Sequence, residues 1–521
     1  MSETQQQRRI GIDVGGTNTD AVLIDDAGAV LASIKVATTV DPLDGIREAL
    51  RGVLDGQDAS LVSRAMLGTT HPANAIIQRK GLDKVGVLRL ALPSSTAVNV
   101  GAAWPQDIRD VVLGPTAIIE GGHEYTGAEI SPLDEEAVRR LANEAVAAGC
   151  SAIAVSGAFS PASPEHELRS AEIIQEEVGD ALNISLSHQV GALGLLEREN
   201  ATILNASLLT VSHAVVFGFQ AALADNSLDV RAYLTQNDGT LMTAKQAQKN
   251  PVLTLASGPT NSMRGACALA GVNNAIVIDV GGTSADAGIL VDGFPRESTA
   301  AVEVGGVRTN FRMPDLISIG LGGGTIVRND SSGLRIGPDS VGYAVSTEAL
   351  CVGGSTLTLS DISLAAGRLE GFGDPTLVSS LDADLVAGST GWVDEQISIL
   401  ADRMKSSRDA VPLLAVGGGA HLVPDSLDGV SEVVRPPHHG VANAYGACIS
   451  EASGSIDKVY SYDVDGREAC VDDARAAAVE LAIQSGADPE QTRITSVSEI
   501  PMTYVPGGGC RVLVKAVGPL R

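Results

Sequence analysis

The chain of 521 residues carries 63 acidic against 36 basic side chains, and its formal net charge of −27 argues against nucleic acid or an anionic membrane surface as a partner. With 44% hydrophobic but only 3% aromatic residues, it has the length for two or three domains whose cores rest on Ala, Val, Leu and Ile. Six cysteines stand far apart without a C-x-x-C pair, and no run suits a signal-peptide core or a membrane span, so a reducing cytoplasm is the expected setting.

The first element is a β-hairpin, Ile10 to Gly28. A β-branched run ends at Asp13, the turn Gly15-Gly16-Thr17 follows, and a second apolar run leaves. Glycines let the backbone approach a ligand closely, and successive N–H groups in such a turn form an anion-binding concavity. A carboxylate just before the turn can hold a divalent cation through water. Val30 to Val36 predicts a third strand and Pro42 to Leu54 a helix with apolar residues at helical spacing. Arg64 to Leu67 is a short strand leading into GTTHPANAIIQRKG, Gly68 to Gly81, where Thr-Thr marks a helix start and His71 and Asn74 share a face. His71 reads either as an ordinary capping or surface histidine or as a polar group turned into a cleft.

Lys84 to Leu88 is another strand, and the segment to Ile119 reads as irregular. The glycine-bounded loop Gly121 to Gly127 sets His123 beside Glu124, which suits a metal ligand, an acid–base group or a plain polar turn. Ser131 to Ala148 predicts a helix, Ser151 to Gly157 a buried strand and Pro164 to Val178 a further helix. Glu197 to Leu223 is helical and apolar, Val230 to Leu234 a strand, and Pro259 to Ala270 a helix with Pro at its first position.

The opening hairpin then recurs as IVIDVGGTSADAGILVDG, Ile276 to Gly293, with Asp279 and Gly281-Gly282-Thr283 in the places of Asp13 and Gly15-Gly16-Thr17, and Asp286 matching Asp20. One such hairpin could be an ordinary Gly-Gly turn. Two copies half a chain apart point to a duplication in which hairpins from two facing domains grip one polyphosphate. Two more strand-to-glycine turns follow, Leu316 to Ile319 into Gly322, Gly323 and Gly324, and Leu413 to Val416 into Gly417, Gly418 and Gly419. Gly440 to Ala452 is a small-residue helix suited to close packing on a neighbouring backbone. Ser455 to Arg521 reads as a strand, a helix from Asp472 to Ser485, and two strands around Pro506 to Gly509.

The two hairpins and the Gly417 turn resemble the nucleotide site of the actin, sugar-kinase and heat-shock-chaperone superfamily. Within it, GGTNTD, KVATT, LGTTHPANAIIQRKG, SPEHELRSAEII, SLSHQV, LTQNDGTLM, SGPTNSMRGA and IGLGGGTI, in order, resemble the hydantoinase A and oxoprolinase family. The resemblance implies an α/β fold with two ribonuclease-H-like (actin-like ATPase) domains around a nucleotide cleft, at residues 1–200 and 201–454, and a small C-terminal α+β domain at 455–521. It implies ATP and Mg²⁺ as cofactors, with Gly15, Gly16, Thr17, Asn18 and Thr19 and Gly281, Gly282, Thr283 and Ser284 at the phosphates. Gly322, Gly323 and Gly324 join the nucleotide-binding set, and Gly417, Gly418 and Gly419 would face the adenosine. Asp13 and Asp279 are the expected catalytic Mg²⁺ carboxylates, with His71 and His123 as catalytic and Asn74 and Glu124 as substrate candidates.

The implied reaction is ATP-dependent opening of a cyclic amide or imide such as a hydantoin, oxoproline or lactam, by an ATP-binding subunit working in an oligomer with a second subunit. The alternatives are a small-molecule kinase, in which one Asp deprotonates a substrate hydroxyl, and a nucleotide-gated, non-catalytic subunit. The sequence departs from the family at Asn18, usually Phe, and at His71, usually Val, and it lacks the long C-terminal extension of larger members. No Ser-His-Asp set or metal-hydrolase His pair is visible.

Overall fold

A computed structural model describes residues 7–16, 18–37, 42–298, 302–331, 333–405, 407–503 and 508–521. Thr17 and Pro506 lie outside the described residues. The first sheet begins with the hairpin Arg8–Val14 and Asn18–Ile24, in which Ile10, Ile12 and Val14 are fully buried and Asp13 pairs across with Asp20. Alternation of β-branched and small residues drives this, because it gives each strand a face to bury. Val30–Ala37 lies antiparallel on the outer side, and Val62–Thr69 and Arg231–Thr235 continue in parallel on the inner side. The helix Pro42–Leu54 covers one face, its Ile46, Ala49, Leu50 and Val53 packing into the same core as Ile10 and Ile12.

The second hairpin, Ala275–Val280 and Ala285–Val291, has the same register, Asp279 facing Asp286. Leu413–Val416 runs parallel beside its first strand and Leu316–Ile319 antiparallel beside its second. The helices that join the two sheets are Ser257–Ala270 and Ala442–Ile449, and they touch through bare backbone. A Cβ on Gly265 would run into the carbonyl oxygen of Ala442, one on Gly446 into that of Asn261, and one on Gly11 into that of Ala444. Glycine is required at these three positions by close approach alone. The helix Ser257–Ala270 begins two residues before Pro259, after Ala256 in the left-handed region at φ 61°, so the proline sits within the first turn rather than opening the helix.

Residues 455–521 were expected as a small separate domain, but their strands extend the first sheet. Leu241–Thr243 joins Ala452–Ser461 through a parallel bridge at Leu241 and Ala452, and Gly509–Gly518 and Arg493–Pro501 follow. The helix Arg467–Gln484 puts Ala474, Ala478 and Ala482 into one cluster with Met66 and Tyr233 of that sheet. An unpaired strand edge is a template for another strand, and here the chain's own later segment covers it. The first sheet also draws on strands beyond residue 200, so it crosses the expected boundary at 200/201.

A third sheet, inserted between Val62–Thr69 and Arg231–Thr235, is fully parallel in the order Leu113–Glu120, Val85–Leu92, Ala152–Gly157, Asn183–Leu186. Leu88 and Leu90 face the helices Glu135–Ala147 and Glu165–Val178, while Val85 and Val87 face Leu195–Ser207. Both faces are covered, as a parallel sheet requires. The edge strand Leu113–Glu120 and the helix Gln106–Val112 fall in the stretch read as irregular, because Gly114-Pro115 breaks the apolar run. The apolar stretch 197–223 is two helices, Leu195–Ser207 and Leu209–Asp225, bent by 48°, and no single described helix is long and apolar enough to cross a membrane.

Glu167 ties the carboxyl end of this sheet together. Its Oε1 accepts hydrogen bonds from the Gly157 N–H at 2.7 Å and the Ser187 hydroxyl at 2.5 Å, and its Oε2 from the His188 N–H at 3.0 Å and His188 Nδ1 at 2.6 Å. Burial would raise its pKa, but the His188 and Ser187 hydrogen bonds and the charges of His188 and Arg198 hold it below the usual range. Glu167→Gln is therefore expected to destabilise the protein by about 3 kcal/mol at pH 7, read by urea unfolding. A depressed folded pKa gives stability that is present above the unfolded value and lost as pH falls through the folded one. The gap between parent and variant should thus shrink below about pH 4.

Candidate functional site

The two hairpin turns face each other across a cleft of about 270 Å³. Each turn closes in the same way, the Gly15 N–H donating to the Asn18 carbonyl and the Gly281 N–H to that of Ser284, both at 2.9 Å. From the first hairpin Asp13, Gly15, Gly16 and Asn18 line the cleft, from the second Asp279, Gly281, Gly282 and Ser284, and from the third glycine turn Gly417 and Gly418.

Other expected site residues stand elsewhere. The Gly323 and Gly324 N–H groups donate to the carbonyls of Gly281 and Gly282 at 3.0 and 2.8 Å, and any side chain at Gly322 would strike the backbone of Thr283. That loop buttresses the second turn from behind, so its glycines serve backbone-to-backbone contact. Gly419 likewise donates to the Val280 carbonyl at 2.7 Å, while Thr19 is buried in the sheet and Thr283 is exposed. Thr17 lies outside the described residues.

His71 and Asn74, on the helix His71–Gln78, bond to Thr69 and Thr70, His71 Nδ1 lying 2.7 Å from Thr69 Oγ1 and Asn74 Nδ2 3.3 Å from Thr70 Oγ1. Thr70 lines the cleft, but His71 and Asn74 are not among the lining residues. His123 is buried at the carboxyl end of Leu113–Glu120, its ring 4.3 Å from that of His166 and its N–H bonded to the Ala158 carbonyl, and Glu124 next to it is exposed. These two belong to the inserted sheet's own packing, so the cleft does not gather all four polar candidates together.

The electrostatics of the cleft are dominated by four carboxylates, Asp13 and Asp20 buried, Asp279 and Asp286 half-buried. Asp13 accepts from Asn261 Nδ2 at 3.3 Å and from Asn443 Nδ2 at 3.0 Å, and the same Asn443 amide donates to Asp20 at 2.9 Å. Lys35 Nζ stands 2.5 Å from the other Asp20 oxygen, and the Ser262 hydroxyl donates to Asp279. Burial above all, then the charge of Asp20, pushes Asp13 up to about 7. Burial raises Asp286 to about 6 and lifts Asp279 as well. Raised carboxylates mark negative charge that the protein does not itself neutralise, and an oxygen-loving divalent cation fits that deficit. Among the described residues no three acidic, His or Cys side chains are grouped to chelate a metal, so a cation here fits a water-mediated mode of binding.

Sequence reading missed Lys35, Asn261, Ser262 and Asn443 as cleft groups. Asn443 is 430 residues from the Asp13 it bonds, so no local pattern links them. Asp20 and Asp286 were visible as matched positions of the repeat but carried no separate signal.

The profile of the hydantoinase/oxoprolinase N-terminal region matches residues 9–178, and that of hydantoinase/oxoprolinase matches residues 198–373. The chain is 28% identical over 389 residues to caprolactamase subunit alpha of Pseudomonas jessenii, covering 70% of this chain and 55% of that one. It is 29% identical over 398 residues to the acetophenone carboxylase gamma subunit of Aromatoleum aromaticum, covering 69% and 53%. The matched stretch thus spans about half the length of these relatives. The crystal structure of the ATP-dependent caprolactamase of Pseudomonas jessenii shares the fold with a TM-score of 0.78 at 20% identity, over 98% of this chain and 88% of that chain. The sheets around the cleft are those of actin-like ATPase-type domains, the two profiles together take in most of the chain, and it belongs to the hydantoinase/oxoprolinase family.

Proposed function

We propose that this chain binds ATP with Mg²⁺ between its two hairpins and uses it to activate a cyclic amide for ring opening, as the ATP-binding subunit of an oligomer completed by a second subunit. The observation that carries the reading is the pair of congruent Asp-Val-Gly-Gly turns facing one cleft with both of their carboxylates raised. Caprolactamase and acetophenone carboxylase subunits among the relatives support a subunit role and an activated-carbonyl chemistry. Six buried free cysteines suit a cytoplasmic setting.

An unstrained amide carbonyl is a poor electrophile and its nitrogen a poor leaving group. Transfer of the γ-phosphoryl group to the amide oxygen gives a phosphorylated imidate and ADP. Water attack at that carbon gives a tetrahedral adduct that collapses with protonation of the nitrogen and cleavage of the C–N bond, leaving a ring-opened acyl phosphate. A second water hydrolyses that to the acid and phosphate. For the first step the chain has to position groups and neutralise charge. Gly15, Gly16, Gly281 and Gly282 offer close backbone approach to the phosphates, and Asp13 and Asp279 would hold hydrated Mg²⁺, which supplies charge neutralisation at the phosphoryl oxygens when bound.

The test is ADP release by the full chain against 5-oxoproline, hydantoin and caprolactam, with and without proteins encoded beside it. ATP-dependent ring opening by the mixture, and little by the chain alone, is the expected result. Full coupled turnover by the isolated chain would remove the second-subunit part. Asp13 near 7 also falls in the range of a general base toward a substrate hydroxyl, which favours the small-molecule kinase as the second reading; a stable phosphorylated product would identify it.

A further inference from the structure

The cleft that has to accept a polyphosphate is already negative. Asp13, Asp20, Asp279 and Asp286 line it, and among the described lining residues Lys35 is the one side chain with a permanent positive charge. The other basic group there, His439, is kept neutral chiefly by burial. Lys35 sits directly opposite Asp20 in the antiparallel ladder of the first sheet, and its Nζ pairs with Asp20 Oδ1 at 2.5 Å while its side chain keeps about a third of its surface open, 37%. Lys35 lines the same cleft as Gly15 and Gly16 of the first turn and Gly281 and Gly282 of the second, so its ammonium is available to a group held between them.

We propose that Lys35 reads the terminal phosphate of a nucleoside triphosphate, leaving Asp20 for the γ-phosphoryl oxygens when the ligand enters, so that the cleft prefers tri- over diphosphate. This rests on the nucleotide reading above and adds to it a named residue and a selectivity. The move suits lysine, a point charge on a flexible stem with three donors that can change partners without rebuilding a fixed fork. Asp20 is not stranded by it, since its other oxygen keeps the Asn443 amide at 2.9 Å. A diphosphate lacks the group that would draw Lys35 away, so the Lys35–Asp20 pair persists with it. If Lys35 were only the partner of Asp20, removing it would disturb both ligands alike.

The experiment is calorimetric titration of the full chain with ADP and with the non-hydrolysable triphosphate AMPPNP, each with excess Mg²⁺, for the parent, Lys35→Met and Lys35→Arg. Lys35→Met should lose about 20-fold or more in AMPPNP affinity and less than about threefold for ADP, while Lys35→Arg, which keeps the charge, should stay within about fivefold of the parent for both. Equal losses for the two nucleotides, or no loss for either, would overturn the role given to Lys35. A parent chain that binds neither nucleotide would instead take down the cleft assignment on which the role depends. Should Lys35→Met fail to fold, Lys35→Gln decides in the same two titrations: a large loss of AMPPNP affinity with ADP affinity kept supports the role, and equal losses or no loss reject it.

Discussion

Asp13→Asn and Asp279→Asn each lower ATP turnover by about a hundredfold or more without loss of the folded state. Each substitution removes one negative charge from the shell expected to hold Mg²⁺ against the phosphates, where charge stabilisation of the transferring group is the main contribution available to the protein. The fold has little to lose, because both carboxylates, Asp13 buried and Asp279 half-buried, are raised, which means that their ionised forms are tolerated rather than favoured. The sign follows for Asp13. Its folded pKa of about 7 lies above the reference value of 3.8, so its stabilising contribution is complete below the unfolded pKa and disappears as pH rises through the folded one. By pH 8 that loss amounts to at most about 4 kcal/mol. Asp13→Asn carries no such loss, and its melting temperature without Mg²⁺ should exceed that of the parent at pH 8 and converge with it as pH falls toward about 4. Near-normal turnover of both variants at saturating Mg²⁺ would remove the two-hairpin site.

The second large effect is structural. Gly446→Val and Gly265→Val should each destabilise the protein by about 4 kcal/mol or more, enough to leave little folded material. At either position the new Cβ would occupy the place of a carbonyl oxygen on the facing helix, Asn261 in one case and Ala442 in the other. Backbone cannot yield as a flexible side chain does, so the helices would have to separate and break the contact that holds the two sheets in register. Gly391→Ala is the control, within the helix Ala383–Met404 where an added Cβ meets nothing; it should be neutral or stabilising by up to about 1 kcal/mol. Equal melting temperatures for Gly446→Val and Gly391→Ala would show that the helix contact is not needed.

What could be read in advance followed the range of the interactions. The helix Pro42–Leu54 and the two hairpins are specified by neighbours in the chain, and a repeat of six identical residues placed Asp13 and Asp279 in equivalent turns. Sheet membership of the last segment depends on a bridge between Leu241 and Ala452, which no local pattern encodes, so those strands looked like a domain of their own. Glycines were read as facing a ligand, and Gly417 and Gly418 line the cleft, yet Gly322 is glycine because another turn lies against it. Periodicity cannot tell a glycine that admits a phosphate from one that admits a backbone. Polar neighbours such as His123 and Glu124 carried even less, since one side chain of the pair is buried against His166 and the other is exposed.

The order in which the first sheet is threaded has a consequence for synthesis on the ribosome. Leu241–Thr243 emerges with one edge bare, and its parallel partner Ala452–Ser461 follows only after every strand of the second sheet has been translated. At usual elongation rates the wait between them is roughly 10–40 s. The sheet that the chain starts first is therefore finished last, and the nascent protein carries an open β-edge throughout that interval. Such an edge is a natural client for a holdase chaperone and a nucleation point for aggregation when translation outpaces its cover. Slowing elongation beyond residue 434 would lengthen that exposure, whereas slowing it within the second sheet would also give that sheet time to close first.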